Sequence, residues 1–105
     1  MASGILGQEA PAATTNTVVY TVPATTVAVV NISVVNRSGS AVTARIALAA
    51  ASTPQSEEFI EYNTSIPSTG VLERTGVVLE AGKKVVVYSS SADTSVSVYG
   101  LESAA

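Results

Sequence analysis

The chain has 105 residues, enough for one domain that buries about 65% of its unfolded surface, and only 12% of them are charged, against about 25% in an ordinary soluble domain. Net charge is −3 with no basic cluster larger than Lys83-Lys84, and no run approaches the ~18 apolar residues of a spanning helix, so neither a nucleic-acid nor a membrane partner is expected. Without Cys there is no disulfide, and without His the commonest general base and metal ligand is missing.

Residues 1–16, MASGILGQEAPAATTN, have no periodicity and read as an extended N-terminal arm. They carry no positive n-region and no long apolar core, so no secretory leader is expected, and Ala2 excludes N-myristoylation. Ile5 and Leu6, set between Gly4 and Gly7, are the arm's large aliphatics and candidates for docking into a neighbour's groove.

From Thr17 the chain reads as short strands, and residues 17–105 form the domain. TVVYTV (17–22) ends at Pro23; TVAVVNISVVN (26–36) is long and β-branched; NRSGS (36–40) is a turn. AVTARIALA (41–49) alternates with a period of two, with Val42, Ala44, Ile46 and Leu48 on one face and Thr43, Arg45 and two Ala on the other. ASTPQS (51–56) is a loop. EEFIEYNTSI (57–66) places Ile60 and Tyr62 on one face and Phe59 and Glu61 on the other. PSTG (67–70) turns into VLERTGVVL (71–79), where Gly76 in mid-strand signals a bulge or a close backbone approach. EAGKK (80–84) is a tight hairpin, and KVVVYSS (84–90) and SVSVYGLE (95–102) are expected to form the last pair, joined by a polar SADT loop. About seven strands at a spacing of roughly 8–12 residues predict an all-β fold, a single antiparallel β-sandwich of Ig-like or jelly-roll-like type. In the long strand the valines change parity near residue 29. Either a bulge swaps the faces there, or both faces are covered, which in a two-layer fold calls for a partner subunit. The runs Val77-Val78-Leu79 and Val85-Val86-Val87 raise the same question.

No constellation carries chemistry. In a strand Glu57 and Glu61 share a face while Glu58 points the other way, the pattern of a solvated face or of gatekeepers against edge pairing, and no calcium-loop spacing accompanies them. The hydroxyls have no His partner, Lys83 and Lys84 sit in an exposed turn, and there is no nucleophile elbow, phosphate loop or zinc spacing. The reading is therefore no enzyme, no cofactor and no metal. Glu73 and Arg74, with Arg37 or Arg45, are candidates for ion pairs that orient subunits, and Phe59 joins Ile5 and Leu6 as a candidate apolar contact. Tyr20, Tyr88 and Tyr99 lie in β-branched strands, where packing with the hydroxyl reaching out is expected, although together with Tyr62 they are also the material of a stacking or carbohydrate surface.

The segments MASGILGQEAPAATTNTVVYTVPA, VAVVNISVVNRSGSAVTARIALA, EEFIEYNTSIPSTGVLERTGVVLEAGKKVVVYSS and SVSVYGLE resemble small virion structural proteins of tailed bacteriophages, most strongly those of phages infecting cyanobacteria. The resemblance covers essentially the whole chain. Its most specific pieces are NRSGS, IEYN followed by GVLERTG, and the terminal VYG. It implies a part repeated on a particle assembled in the host bacterial cytoplasm. The foremost expectation is a capsid decoration or cement protein that binds the major capsid protein as a homo-oligomer, with a trimer as one arrangement. A tail, neck or fibre component is the alternative, and a carbohydrate-binding adhesion module comes after it.

Overall fold

The structure, a computed structural model, describes residues 2–105. Eight strands follow in order: β1 (Ser3–Glu9), β2 (Thr17–Thr21), β3 (Thr26–Asn36), β4 (Val42–Ala49), β5 (Phe59–Ile66), β6 (Val71–Leu79), β7 (Lys84–Ser89) and β8 (Thr94–Ala104). A short 3₁₀ turn, Ser56–Glu58, leads into β5. The strands build two antiparallel sheets, β1-β8-β3-β6 and β2-β7-β4-β5. The pairings nest, with β1 on β8, β2 on β7, β3 on β6 and β4 on β5. Of the two expected sandwich types, this nested winding is the jelly roll.

The core between the sheets is aliphatic. Val30, Ile32 and Val34 of β3 meet Ala44 and Ile46 of β4, Val85 and Val87 of β7, and Val96 and Val98 of β8, all essentially inaccessible to water. In β3 the even-numbered residues point inward along the whole strand, so no face swap occurs at residue 29. The bulge lies on the neighbouring strand instead. Thr75 and Gly76 of β6 oppose Asn31 alone, Gly76 takes a φ of +66°, and its N–H donates to Asn31 Oδ1 at 3.1 Å. Gly76 thus makes the bulge its mid-strand position predicted, in a conformation that costs a residue with a Cβ about 1–2 kcal/mol.

The N-terminal segment is extended, and its partner is this chain's own β8. Ser3–Glu9 therefore adds an eighth strand at the edge of the first sheet, where a segment outside the sandwich was expected. Leu6 is skipped in the pairing between Ile5↔Tyr99 and Gly7↔Val98 and packs against the core. Gly7 passes so close to the Val19 carbonyl that an added Cβ would lie 2.2 Å from its oxygen. Beyond β1 the chain crosses to the second sheet over a buried Pro11 and is tied down by Thr14 N–H to Ser89 O at 2.8 Å.

Val86 also departs from expectation. Val85 and Val87 face the core, whereas Val86 lies on the outer face of the second sheet and is still buried, in a cluster with Ala47 and Ala49 packed by Val18 and Phe59. The second covered face in KVVVYSS is therefore closed within the chain, without a partner subunit, because the aromatic that opens β5 folds over it.

Two polar links join the sheets, one toward the β1 and β2 side of the sandwich and one at the β5 and β6 edge. At one, the Tyr20 hydroxyl of β2 donates to Glu102 of β8, whose other oxygen accepts Ala2 N–H at 3.2 Å. At the other, Arg74 of β6 pairs with Glu61 of β5 and donates to Ile60 O at 3.1 Å. Burial, then the hydrogen bond to Glu102, pushes the Tyr20 hydroxyl well above the ordinary tyrosine value of 10.0. The hydrogen bond from Tyr20, then that from Ala2, pulls the Glu102 carboxyl below its ordinary 4.5. A raised Tyr20 contributes stability that is full below pH 10.0 and is lost above it, as the unfolded chain ionises first. A depressed Glu102 contributes stability present above pH 4.5 and lost as pH falls through the folded value. Tyr20→Phe should therefore flatten the stability profile at both ends. Thermal melts of the two proteins across pH check this, and parallel curves would show that the link carries no pH dependence.

Candidate interaction surfaces

The outer face of the first sheet carries an apolar row. Leu101 of β8 pairs with Val29 of β3, which pairs with Val78 of β6, so the three side chains cross the sheet side by side. Leu101 is 62% exposed, Val29 45% and Val78 66%. Ile5 of β1, 60% exposed, continues the row where it pairs with Tyr99, two residues before Leu101 on the same strand. Polar positions bound the row on one side, with Ser97 paired to Ser33 and Ser33 paired to Glu73.

The outer face of the second sheet carries a stack. Arg45 of β4 pairs with Tyr88 of β7, and its guanidinium carbon lies 4.4 Å from the centroids of both the Tyr88 and the Tyr62 rings. Phe59 meets Tyr62 edge to face, with centroids 5.0 Å apart at 83°. Arg45 Nε donates to Asn63 Oδ1 at 2.7 Å. This departs from the expected alternation in β5. Ile60 packs on the core, while Phe59 and Tyr62 share the outer face. The cause is irregular pairing on both sides of Ile46, which pairs with Glu61. Ala44 pairs with Thr64 and Ala47 with Phe59, so β5 has one more residue than β4 in each interval. Asn63, at φ +52°, supplies the left-handed turn that the first bulge needs.

The remaining candidates separate. Arg37 donates through Nε to Ser95 Oγ at 2.8 Å and through Nη2 to the carbonyls of Ala92 and Thr94, which fastens the loop between β7 and β8. Arg74 spends its charge on Glu61 at the sandwich edge. Glu73 is exposed on β6. The structure thus brings Arg45 and Phe59 together on one face, places Ile5 on the other with Glu73 in the polar border of its row, turns Leu6 toward the core and leaves Arg37 and Arg74 apart from both.

The glutamates expected as a solvated row have structural partners. Glu58 accepts Gln55 N–H at 2.7 Å and Ala50 N–H at 3.1 Å, closing the loop before β5, and the bond from Gln55 leads in holding its carboxyl below the ordinary value. Glu61 accepts the Thr64 hydroxyl at 2.6 Å besides pairing with Arg74. Among the described residues no three potential ligands gather for a metal, no cavity forms, and no helix is long and apolar enough to cross a membrane.

Val29, Val78 and Leu101 were not among the candidates read from the sequence, nor was the stacking of Tyr62 and Tyr88 on Arg45. The parity change at Val29 and the unbroken run Val77-Val78-Leu79 were the local signals. Comparison with protein-family models, with curated proteins and with solved structures found no match to the chain.

Proposed function

We propose that this chain is a non-enzymatic structural protein of a tailed-phage virion, a decoration or cement protein that binds the major capsid protein of the assembled head as a homo-oligomer and stabilises the shell. The jelly roll is common to capsid and lectin domains, so the choice rests on the surface and on the whole-chain resemblance given above. The observation that carries the reading is the row Ile5, Leu101, Val29 and Val78. A contiguous apolar patch on a sheet face with polar borders is a feature of docking surfaces. A chain with only 12% charged residues has little on its surface to oppose such contact. A protein that binds only the assembled shell stabilises it by mass action, without any chemistry.

The test is copy number, by quantitative mass spectrometry of this chain against the major shell protein in purified particles. A simple ratio to the shell protein is the expected result. A far smaller number would move the chain to the tail, neck or fibres. Absence from particles would overturn the virion reading.

A further inference from the structure

The three arginines are used differently. Arg37 gives its guanidinium hydrogens to Ser95, Ala92 and Thr94, and Arg74 gives its own to Glu61 and Ile60. Arg45 donates only Nε, to Asn63. Among the described residues nothing accepts from its terminal nitrogens and no carboxylate pairs with it. Because no buried side-chain nitrogen is left without a partner, those terminal nitrogens reach solvent.

The group is also held in place. Rings at 4.4 Å, Tyr88 from β7 and Tyr62 from β5 on either side of β4, confine the guanidinium, and the Asn63 bond orients it. An exposed arginine ordinarily loses much side-chain freedom when it pairs. Here that ordering is already done, and the two terminal nitrogens present a fork that matches a carboxylate with two parallel N–H···O bonds. Each tyrosine commits a ring face to the guanidinium, and Phe59 packs on Tyr62 as well. That disfavours a sugar, whose C–H face needs an open aromatic face. Nucleic-acid phosphates call for several cations on one surface, and the chain has five Lys and Arg in all.

We infer that Arg45, clamped between Tyr62 and Tyr88, is a receptor for a side-chain carboxylate on an acidic segment of a partner protein. The site lies on the opposite outer face from the apolar row, and it stands whether or not the virion reading holds.

The test uses the full chain and NMR of the arginine Nε–H and tyrosine ring signals. Hexaglutamate is the probe, with trigalacturonate and inorganic phosphate in parallel. Hexaglutamate should shift the Arg45, Tyr62 and Tyr88 signals saturably. Arg45→Lys, which keeps the charge and loses the fork, should weaken that binding about tenfold or more. Arg45→Gln should abolish it, whereas Lys83→Gln, with the same change in net charge, should leave it intact. No saturable shift, or an equal loss in Lys83→Gln, would overturn the receptor. Tighter binding of trigalacturonate than of hexaglutamate would overturn the protein partner in favour of an acidic polysaccharide, and tighter binding of phosphate would overturn the carboxylate. The titration of the unaltered chain decides the matter even if a variant folds poorly.

Discussion

Asn36→Ala is expected to remove about 3 kcal/mol of stability and to lower Tm by about 10 °C or more. Asn36 ends β3 and is fully buried. Its Nδ2 shares two hydrogens among the carbonyls of Ser40 at 2.9 Å, Ile66 at 3.0 Å and Pro67 at 3.1 Å, and its Oδ1 accepts Ser38 N–H at 2.9 Å and the Ser38 hydroxyl at 2.8 Å. One side chain thus ties the turn after β3 to the turn after β5, each of which crosses from one sheet to the other. Alanine removes all of these bonds at a fully buried position. Pro67 O keeps Gly70 N–H at 2.8 Å and Ser40 O keeps the Ser38 hydroxyl at 2.6 Å, so the cost is that of the lost bonds together with the emptied space. Against a total of about 5–15 kcal/mol for a domain, the loss is large. Asn36→Asp sharpens the test. It keeps the acceptor, removes both donors and places a carboxylate against three carbonyls, so its folded pKa must rise above the unfolded value of about 3.9. Its stability should then recover as pH falls toward 4 and drop as pH rises, the reverse of an ordinary paired aspartate. Urea titrations of the three proteins at two pH values measure this. A loss below about 1 kcal/mol for Asn36→Ala would mean that the turns hold without it.

The strands legible in the sequence were those whose residues carry their own reasons. Thr26–Asn36 and Val71–Leu79 have the bounds their β-branched runs and flanking turns predict. Ser3–Glu9 was not legible as a strand, because two glycines and Ile5 as its one β-branched residue give little local preference. It forms because β8 offers an open edge and Leu6 finds the core. The alternation in β5 failed for a related reason, since a bulge depends on the pairing with β4 as well as on β5's own residues. The surfaces were hidden more deeply. Val29, Val78 and Leu101 belong to three strands far apart in sequence, and each alone reads as another core aliphatic. Only the order β8-β3-β6 sets them in one outward row. Arg45 was visible as a rare charge in a clean strand, but its two tyrosines needed the register against β7 and the bulge at Asn63.

The apolar row yields the second large effect. On the virion role proposed above, Val78→Lys with Leu101→Lys should lower binding to particles stripped of this protein about a thousandfold while the fold persists. Burying each aliphatic at a docked surface is worth about 1.5–3 kcal/mol, and losing two of them amounts to about 4 kcal/mol, or three orders of magnitude in affinity. The lysines add a desolvation cost if the docked surface is dry. Both positions point outward, and each substitution should change the stability of the isolated chain by no more than about 1 kcal/mol, which a melting curve checks. Cosedimentation with the stripped particles reads the affinity. Arg45→Gln, on the opposite sheet, serves as the contrasting variant. If the lysine pair binds normally and Arg45→Gln does not, the docking face is the second sheet and the apolar row has another occupant. If both bind normally, neither outer face docks, and the sandwich edges at β1 and β6 become the surfaces to vary. If only the lysine pair fails, the row is the docking face, and the carboxylate receptor on the far side is left free to hold a different protein.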